Sequence, residues 1–394
     1  MTTAHVATET MPMIAPHSTR EVGFDVPAEV GMSEADVETP CLVVDLDAFD
    51  HNLGVMCRHA AELGVDLRVH GKTHKSADVA REQIARGGAI GVCCQKVAEA
   101  QAFVRGGIGD VLISNQLTAP TKIARLAALT KAARMSVCVD DADNVRALSD
   151  AVTAVGGRLD VLVEIDVGAG RCGVAPGDAA VALARVVDTA PGLTFKGLQA
   201  YNGSAQHIVD YAERKAVIEQ VIADVRTTLD ALGAAGIACP TVTGAGTGSY
   251  PLEGRSGVYT ELQCGSYVFM DRGYRAVDGE TGANLPAFRH ALFLLTTVMS
   301  HAKPDMAVCD AGLKSQSTDG GLAEVFERDD VTYLKASDEH GVIADPNGVL
   351  AINDRLRLVP NHVDPTCNMH DWIVGIRNGR VEVLWSVAGR GKGY

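Results

Sequence analysis

Nothing in this sequence offers a basic surface. Its 394 residues hold 35 Lys and Arg against 49 Asp and Glu, a formal net charge of −14. The electrostatic footprint of a nucleic-acid binder is therefore missing. No apolar run approaches the ~20 residues that a bilayer span needs. The opening stretch, MTTAHVATETMPMIAPHSTR, lacks a basic start followed by an apolar segment. It reads as a mobile tail over residues 1–22 and not as a signal peptide. The ten cysteines contain no CxxC. Cys41, Cys93, Cys138, Cys264 and Cys309 lie inside apolar runs, where a free thiol packs as a small hydrophobe. Cys93 and Cys94 are adjacent and poorly placed to bridge each other. A disulfide framework is thus argued against, and a reducing cytoplasm is the expected compartment.

What is present is a globular composition, 47% apolar and 21% charged, on a chain long enough for two domains. From residue 66 to about 268, short β-branched runs alternate with helix-like segments rich in Ala, Leu, Glu and Arg. Eight runs recur, at residues 66–70, 89–94, 110–115, 135–140, 159–166, 193–201, 240–244 and 260–265. Several of the intervening segments end at glycine, as helix C-caps do. Continuous apolar strands between helices imply a parallel sheet covered on both faces. Eight units favour a closed (β/α)8 TIM-like barrel, with an open doubly wound sheet as the alternative. The last connection is a glycine-rich loop with little helical signal. After about residue 285 the texture becomes β-rich, with a hairpin signal at Arg377-Asn378-Gly379. The expected organisation is a tail (1–22), a strand segment joined to the β-domain (23–46), an α/β barrel (47–284) and a C-terminal β-rich domain (285–394).

In such barrels the chemistry sits just past the strand ends. After the first run comes His70-Gly71-Lys72-Thr73-His74-Lys75. Such a cluster is more often a solvated loop, but a lysine fixed at a strand end can do covalent work, and Lys72 is nearer that end than Lys75. The fifth strand is followed by Arg171. The sixth carries Gln199 and Tyr201, with His207 six residues on. Loops after strands seven and eight are a recurrent phosphate site. Here they hold Gly244, Gly246, Thr247, Gly248, Gly265, Ser266 and Tyr267, small residues whose N–H and hydroxyl groups suit an anion. A phosphate cradle opposite a lysine suggests pyridoxal 5'-phosphate, whose aldehyde forms a Schiff base with lysine. In the β-rich region, His362 and Asp364 are one residue apart. On an extended segment they would face one way and could hold a divalent ion. Glu339 and His340 form a polar knot that is either part of a pocket or an ordinary turn.

These motifs resemble the fold type III pyridoxal-phosphate enzymes, the alanine racemase-like barrels, and within them the D-threonine aldolase and D-serine dehydratase group. The resemblance runs from about Thr39 to the C-terminus. It rests on TPCLVVDLDAFDHN, RVHGKTHKS, EIDVGAGRCGV, GAGTGS with GSY, and PNHVDPTCN. It implies that Lys72 carries the cofactor, that Arg171 contacts its ring hydroxyl, and that His207 is the general base. Dehydratases of the group carry His-x-Cys at the metal. His362-x-Asp364 is similar to the aldolase pattern and implies Mg²⁺ or Mn²⁺. GVCCQKVAEAQAF, YVFMD, DAGLKSQSTDGG and DPTCNMHDW look most like the 3-hydroxy-D-aspartate aldolase branch. Where D-threonine aldolases have HVK, this chain has HGK, which would widen the pocket beside the lysine.

The resemblance implies retro-aldol cleavage of a small-molecule D-3-hydroxy amino acid, with 3-hydroxy-D-aspartate giving glycine and glyoxylate, by a homodimer. Alternatives are a D-threonine aldolase of broad specificity, a D-serine or 3-hydroxyaspartate dehydratase, and a non-catalytic carrier of pyridoxal phosphate. The β-rich region counts against the carrier, since such carriers are bare barrels.

Overall fold

The eight apolar runs are eight parallel strands. In the computed structural model, which describes residues 20–282 and 288–394, they are Asp66–His70, Gly91–Cys94, Asp110–Ile113, Arg134–Val139, Leu159–Glu164, Leu193–Ala200, Thr241–Gly244 and Glu261–Leu262. Each pairs with the next, and the last closes on the first through Asp66↔Glu261 and Leu67↔Leu262. That closure decides for the barrel over the open sheet.

Local chemistry explains the helices between the strands. Asp45 caps the helix Leu46–Leu63 by accepting from the N–H groups of Asp47 and Ala48, and Gly64 ends it at φ 67°, a backbone geometry that costs glycine nothing. Ser76 caps Ala77–Ala85 in the same way. The final connection, expected to be loop, contains the short helix Tyr250–Gly254. Pro251 in its first turn supplies a pre-set φ.

The barrel interior is divided by chemistry. Its second to fifth strands contribute the apolar cluster Cys93, Leu112, Cys138 and Leu162. The opposite wall is polar. Arg68 pairs with Glu261 at 3.0 Å and Asp110 at 2.6 Å, while Gln263 bridges Gln199 and Thr243. Each buried polar group there has a partner, as burial demands.

The second unit is a nine-stranded sheet. Strand Cys41–Asp45 lies inside it, antiparallel to Leu292–Lys303 and parallel to Trp372–Arg377. Trp372–Arg377 turns back into Arg380–Ser386 through Asn378 and Gly379, at φ 50° and 68°, the positive pair a tight hairpin requires. Ala28 and Val37 pack into this sheet's core beside Phe293 and Val374. The expected boundary at 284/285 and most of the expected tail lie outside the described residues. Among the described residues no helix is long and apolar enough to cross a membrane. All ten cysteines are free.

Candidate active site

The first strand ends at the barrel mouth, and Lys72 follows it by two residues. Its Nζ lies 3.2 Å from Asp364 Oδ2, which the other unit supplies. This carboxylate raises the Lys72 pKa to about 12. Lys72 in turn helps hold the buried Asp364 below the ordinary carboxylate range, against the burial that pushes it up. His70, beneath the lysine, is driven to about 3 by burial and by the Lys72 charge. It is therefore a neutral ring, with Gln95 Nε2 3.0 Å from its Nε2.

The rest of the basic cluster is structural. Lys75 Nζ meets Glu99 Oε1 at 2.5 Å, and Glu99 is 2% exposed. The other Glu99 oxygen accepts from the N–H groups of Gln95 and Lys96. Lys75 sits at φ 51°, and its carbonyl accepts from Gly389 N–H. His74 is fully buried, with Nε2 3.1 Å from Gln83 Oε1 and Nδ1 accepting from Ser76 N–H. Gly71 does not widen the lysine pocket. A Cβ there would stand 2.3 Å from Phe103 Cζ and 2.8 Å from Val92 Cγ1. The glycine makes room for the packed ring, which corrects the expectation from HGK.

The expectation of an extended His362-Val363-Asp364 is also corrected. Val363–Cys367 is a helix and His362 is its N-cap, at φ −139°. Asp364 thus lies in a first helical turn, where a carboxylate is favoured. His362 Nδ1 faces Asp319 Oδ2 at 2.8 Å, which fixes the ring and turns Nε2 outward. A carboxylate on the back of a histidine is the usual support of a metal ligand. Asp364 Oδ1 is buried without a hydrogen-bond partner. One outward imidazole nitrogen and one unsatisfied carboxylate oxygen fit a divalent ion that completes its shell with water or substrate. Among the described residues, no group of three or more His, Cys, Asp or Glu side chains is placed to hold a metal.

The two phosphate-candidate loops are joined, because Tyr267 N–H donates to Thr247 Oγ1 at 3.0 Å. Gly248 N–H is committed to Gln206 Oε1 at 3.1 Å. Among the described residues, the N–H groups of Gly246, Thr247, Gly265 and Ser266 have no acceptor. Thr73 Oγ1 is buried and unpartnered, and a Cβ on Gly265 would lie 2.4 Å from it. These orphaned donors, gathered near Lys72, fit a phosphate. The other glycines serve close packing. A Cβ on Gly244 would be 2.0 Å from the Ala200 carbonyl oxygen, and one on Gly246 2.4 Å from Gln206 Oε1. The Tyr267 side chain is elsewhere: it is fully buried, and its hydroxyl accepts from Gln83 Nε2 at 3.2 Å.

Arg171 stands over the Tyr201 ring, 6.0 Å from its centre, and 4.0 Å from Glu164 Oε1. His207 lies in the turn Ser204–His207 with its ring 5.1 Å from that of Tyr274. Burial lowers its pKa, and the nearby charges of His362 and Lys72 lower it further. Lys72, Tyr201, His207, His362 and Asp364 thus share one field. Glu339 and His340 are exposed, and Ser337 N–H donates to the His340 carbonyl, closing an ordinary turn. Asp319, Gln95, Gln206, Thr73 and Asp271 were not singled out from the sequence. All but Gln206 lie in quoted stretches, Thr73 in RVHGKTHKS, Gln95 in GVCCQKVAEAQAF, Asp271 in YVFMD and Asp319 in DAGLKSQSTDGG, but a stretch says nothing of what these side chains touch.

The alanine racemase N-terminal domain family matches residues 44–273, and a serine dehydratase domain matches 291–376. The chain is 54% identical over 377 residues to a 3-hydroxy-D-aspartate aldolase of Paracoccus denitrificans strain Pd 1222, covering 95% of this chain and 97% of that one. The chain belongs to the fold type III pyridoxal-phosphate enzymes, in the D-threonine aldolase and D-serine dehydratase-like group. Within that group it is also 46% identical to a D-threonine aldolase of an Arthrobacter species, over 94% of this chain and 98% of the relative. The crystal structure of D-threonine aldolase from Filomicrobium marinum superposes with a TM-score of 0.90 at 46% identity, covering 94% and 100% of the two chains.

Proposed function

We propose that this member of the group is a lyase that cleaves 3-hydroxy-D-aspartate to glycine and glyoxylate, using pyridoxal phosphate and a divalent ion, Mg²⁺ or Mn²⁺. The observation that carries the reading is the 3.2 Å contact between Lys72, at the end of the first strand, and Asp364 of a His-x-Asp pair. It joins an amine that can bind an aldehyde to a carboxylate with a free oxygen for a metal. The high identity to 3-hydroxy-D-aspartate aldolases supports the substrate.

Lys72 would hold the cofactor aldehyde, the N–H groups of Gly246, Thr247, Gly265 and Ser266 its phosphate, and Arg171 the ring side; His362 and Asp364 would hold the ion. When bound, the cofactor supplies an electron sink for charge left on Cα, and the ion lowers the pKa of a neighbouring hydroxyl. His207, kept neutral by burial and by the cations around it, accepts the β-hydroxyl proton at an imidazole nitrogen. Tyr201, with the Arg171 guanidinium 6.0 Å from its ring centre, would line the cofactor pocket beside Lys72, whose charge it feels.

The test is product analysis of purified enzyme on a panel of 3-hydroxy-D-aspartate, D-threonine and D-serine. Glyoxylate, lost on chelation and restored by Mg²⁺ or Mn²⁺, is the expected product. Full-rate cleavage by chelated enzyme removes the metal role. Ammonia and oxaloacetate make it a dehydratase. No turnover with cofactor bound leaves a carrier. The reading includes a homodimer, to be checked by light scattering.

A further inference from the structure

Helix starts need acceptors, because the first N–H groups have no partner within the helix. The N-cap side chain usually supplies one. At Val363–Cys367 the N-cap is His362, which makes no side-chain cap bond. Its ring is committed to Asp319 on one side and free for the ion on the other. A residue used as a metal ligand cannot also cap its own helix.

The acceptor comes from the barrel instead. Asp271 is 1% exposed. Its Oδ2 accepts from Val363 N–H at 3.1 Å, and its Oδ1 accepts from Tyr274 N–H at 2.9 Å. The two residues that follow extend the clamp. Arg272 N–H donates to the Pro360 carbonyl at 3.2 Å and Gly273 N–H to the Asn361 carbonyl at 3.1 Å. A Cβ on Gly273 would lie 3.1 Å from that same Asn361 oxygen, so the approach favours glycine. Residues 271–273 therefore grip 360–363 by three bonds, immediately before Asp364.

We propose that Asp271 is the positioning residue of the metal site. It caps from another part of the fold the helix that carries Asp364, and so sets where the unpartnered Asp364 Oδ1 points. Asp271 also follows the loop that joins Thr247 through Tyr267 N–H. One carboxylate thereby ties the metal helix to the strand-eight loop of the phosphate cradle. The inference rests on the metal reading of His362 and Asp364.

The geometry predicts what each replacement does. Asn at 271 keeps one oxygen but turns an NH₂ group toward the second N–H, so one of the two caps is lost at nearly constant shape. Removing such a support typically weakens metal binding about tenfold or more. The experiment measures Mn²⁺ binding directly, from the free-ion paramagnetic resonance signal, on cofactor-loaded wild type and Asp271→Asn. The expected result is an affinity for Mn²⁺ about tenfold lower in the variant, with cofactor absorbance unchanged and cleavage recovered at high Mn²⁺. A merely structural role would not be rescued by metal. If Asp271→Asn does not fold, Val363→Pro removes the donor of the same bond. Proline suits a first helical position, and His362 already has the extended backbone that precedes proline. Equal Mn²⁺ affinity in wild type and a folded variant overturns the proposal. Wild type that binds no Mn²⁺ overturns the metal reading itself, and this assignment with it.

Discussion

Two lysines three residues apart share a loop, yet their surroundings differ in kind. Lys72 faces a carboxylate from the other structural unit, retains 41% of its side-chain exposure, and borders a carboxylate oxygen with no partner. Lys75 is closed in by Glu99 from the same barrel, at 14% exposure, and both oxygens of that carboxylate are bonded. Chemistry needs an incomplete environment and stability needs a complete one. The chain builds both from one short stretch by turning its backbone through the positive φ of Lys75.

Four substitutions sharpen or break that contrast, the first having the largest effect. Lys72→Ala abolishes cleavage and the absorbance of retained cofactor, while Lys75→Ala keeps both; the reverse outcome, read by spectrum and product assay, moves the chemistry to Lys75. Asp364→Asn leaves cofactor absorbance in place but removes the activation by divalent ions. It also lowers the Lys72 pKa, because the carboxylate is the main cause of its rise to about 12. In cofactor-free protein the variant lysine should therefore react with an amine reagent at lower pH than in wild type. Lys75→Ala strands Glu99 in the interior and costs about 3 kcal/mol, the scale for breaking a buried pair from one side, measured by denaturant titration. Arg171→Ala is the mildest, since the side chain is 55% exposed and 4.0 Å from Glu164. It should weaken cofactor retention, measured by dialysis, without lowering the melting temperature.

The barrel was legible because strands buried on both faces leave continuous apolar runs, and eight of them can close. Position at a strand end separated Lys72 from its neighbours. What that position could not show was the partner of each lysine. Glu99 and Asp364 become neighbours only through tertiary folding. The helix at Val363–Cys367 escaped for a related reason. Five residues with a proline carry too little propensity to announce a helix, and its cap, Asp271, is remote in sequence. HGK misled because a local substitution was assigned to the nearest interesting space, whereas the Cβ direction at Gly71 points at Phe103.

The order in which a ribosome releases this chain gives the strand Cys41–Asp45 an awkward history. Its neighbours in the sheet begin at Leu292 and Trp372, so it emerges early and waits for both. The barrel, whose last strand is Glu261–Leu262, can close in the meantime, since domains tend to fold as units from the N-terminal side. Throughout that interval Val43, fully buried in the finished molecule, lacks Phe293, Leu295, Val359 and Val374, which share its core. Any nascent chain stalled between the barrel and Trp372 would display an apolar strand with an open edge, the form most prone to pair with its own copies.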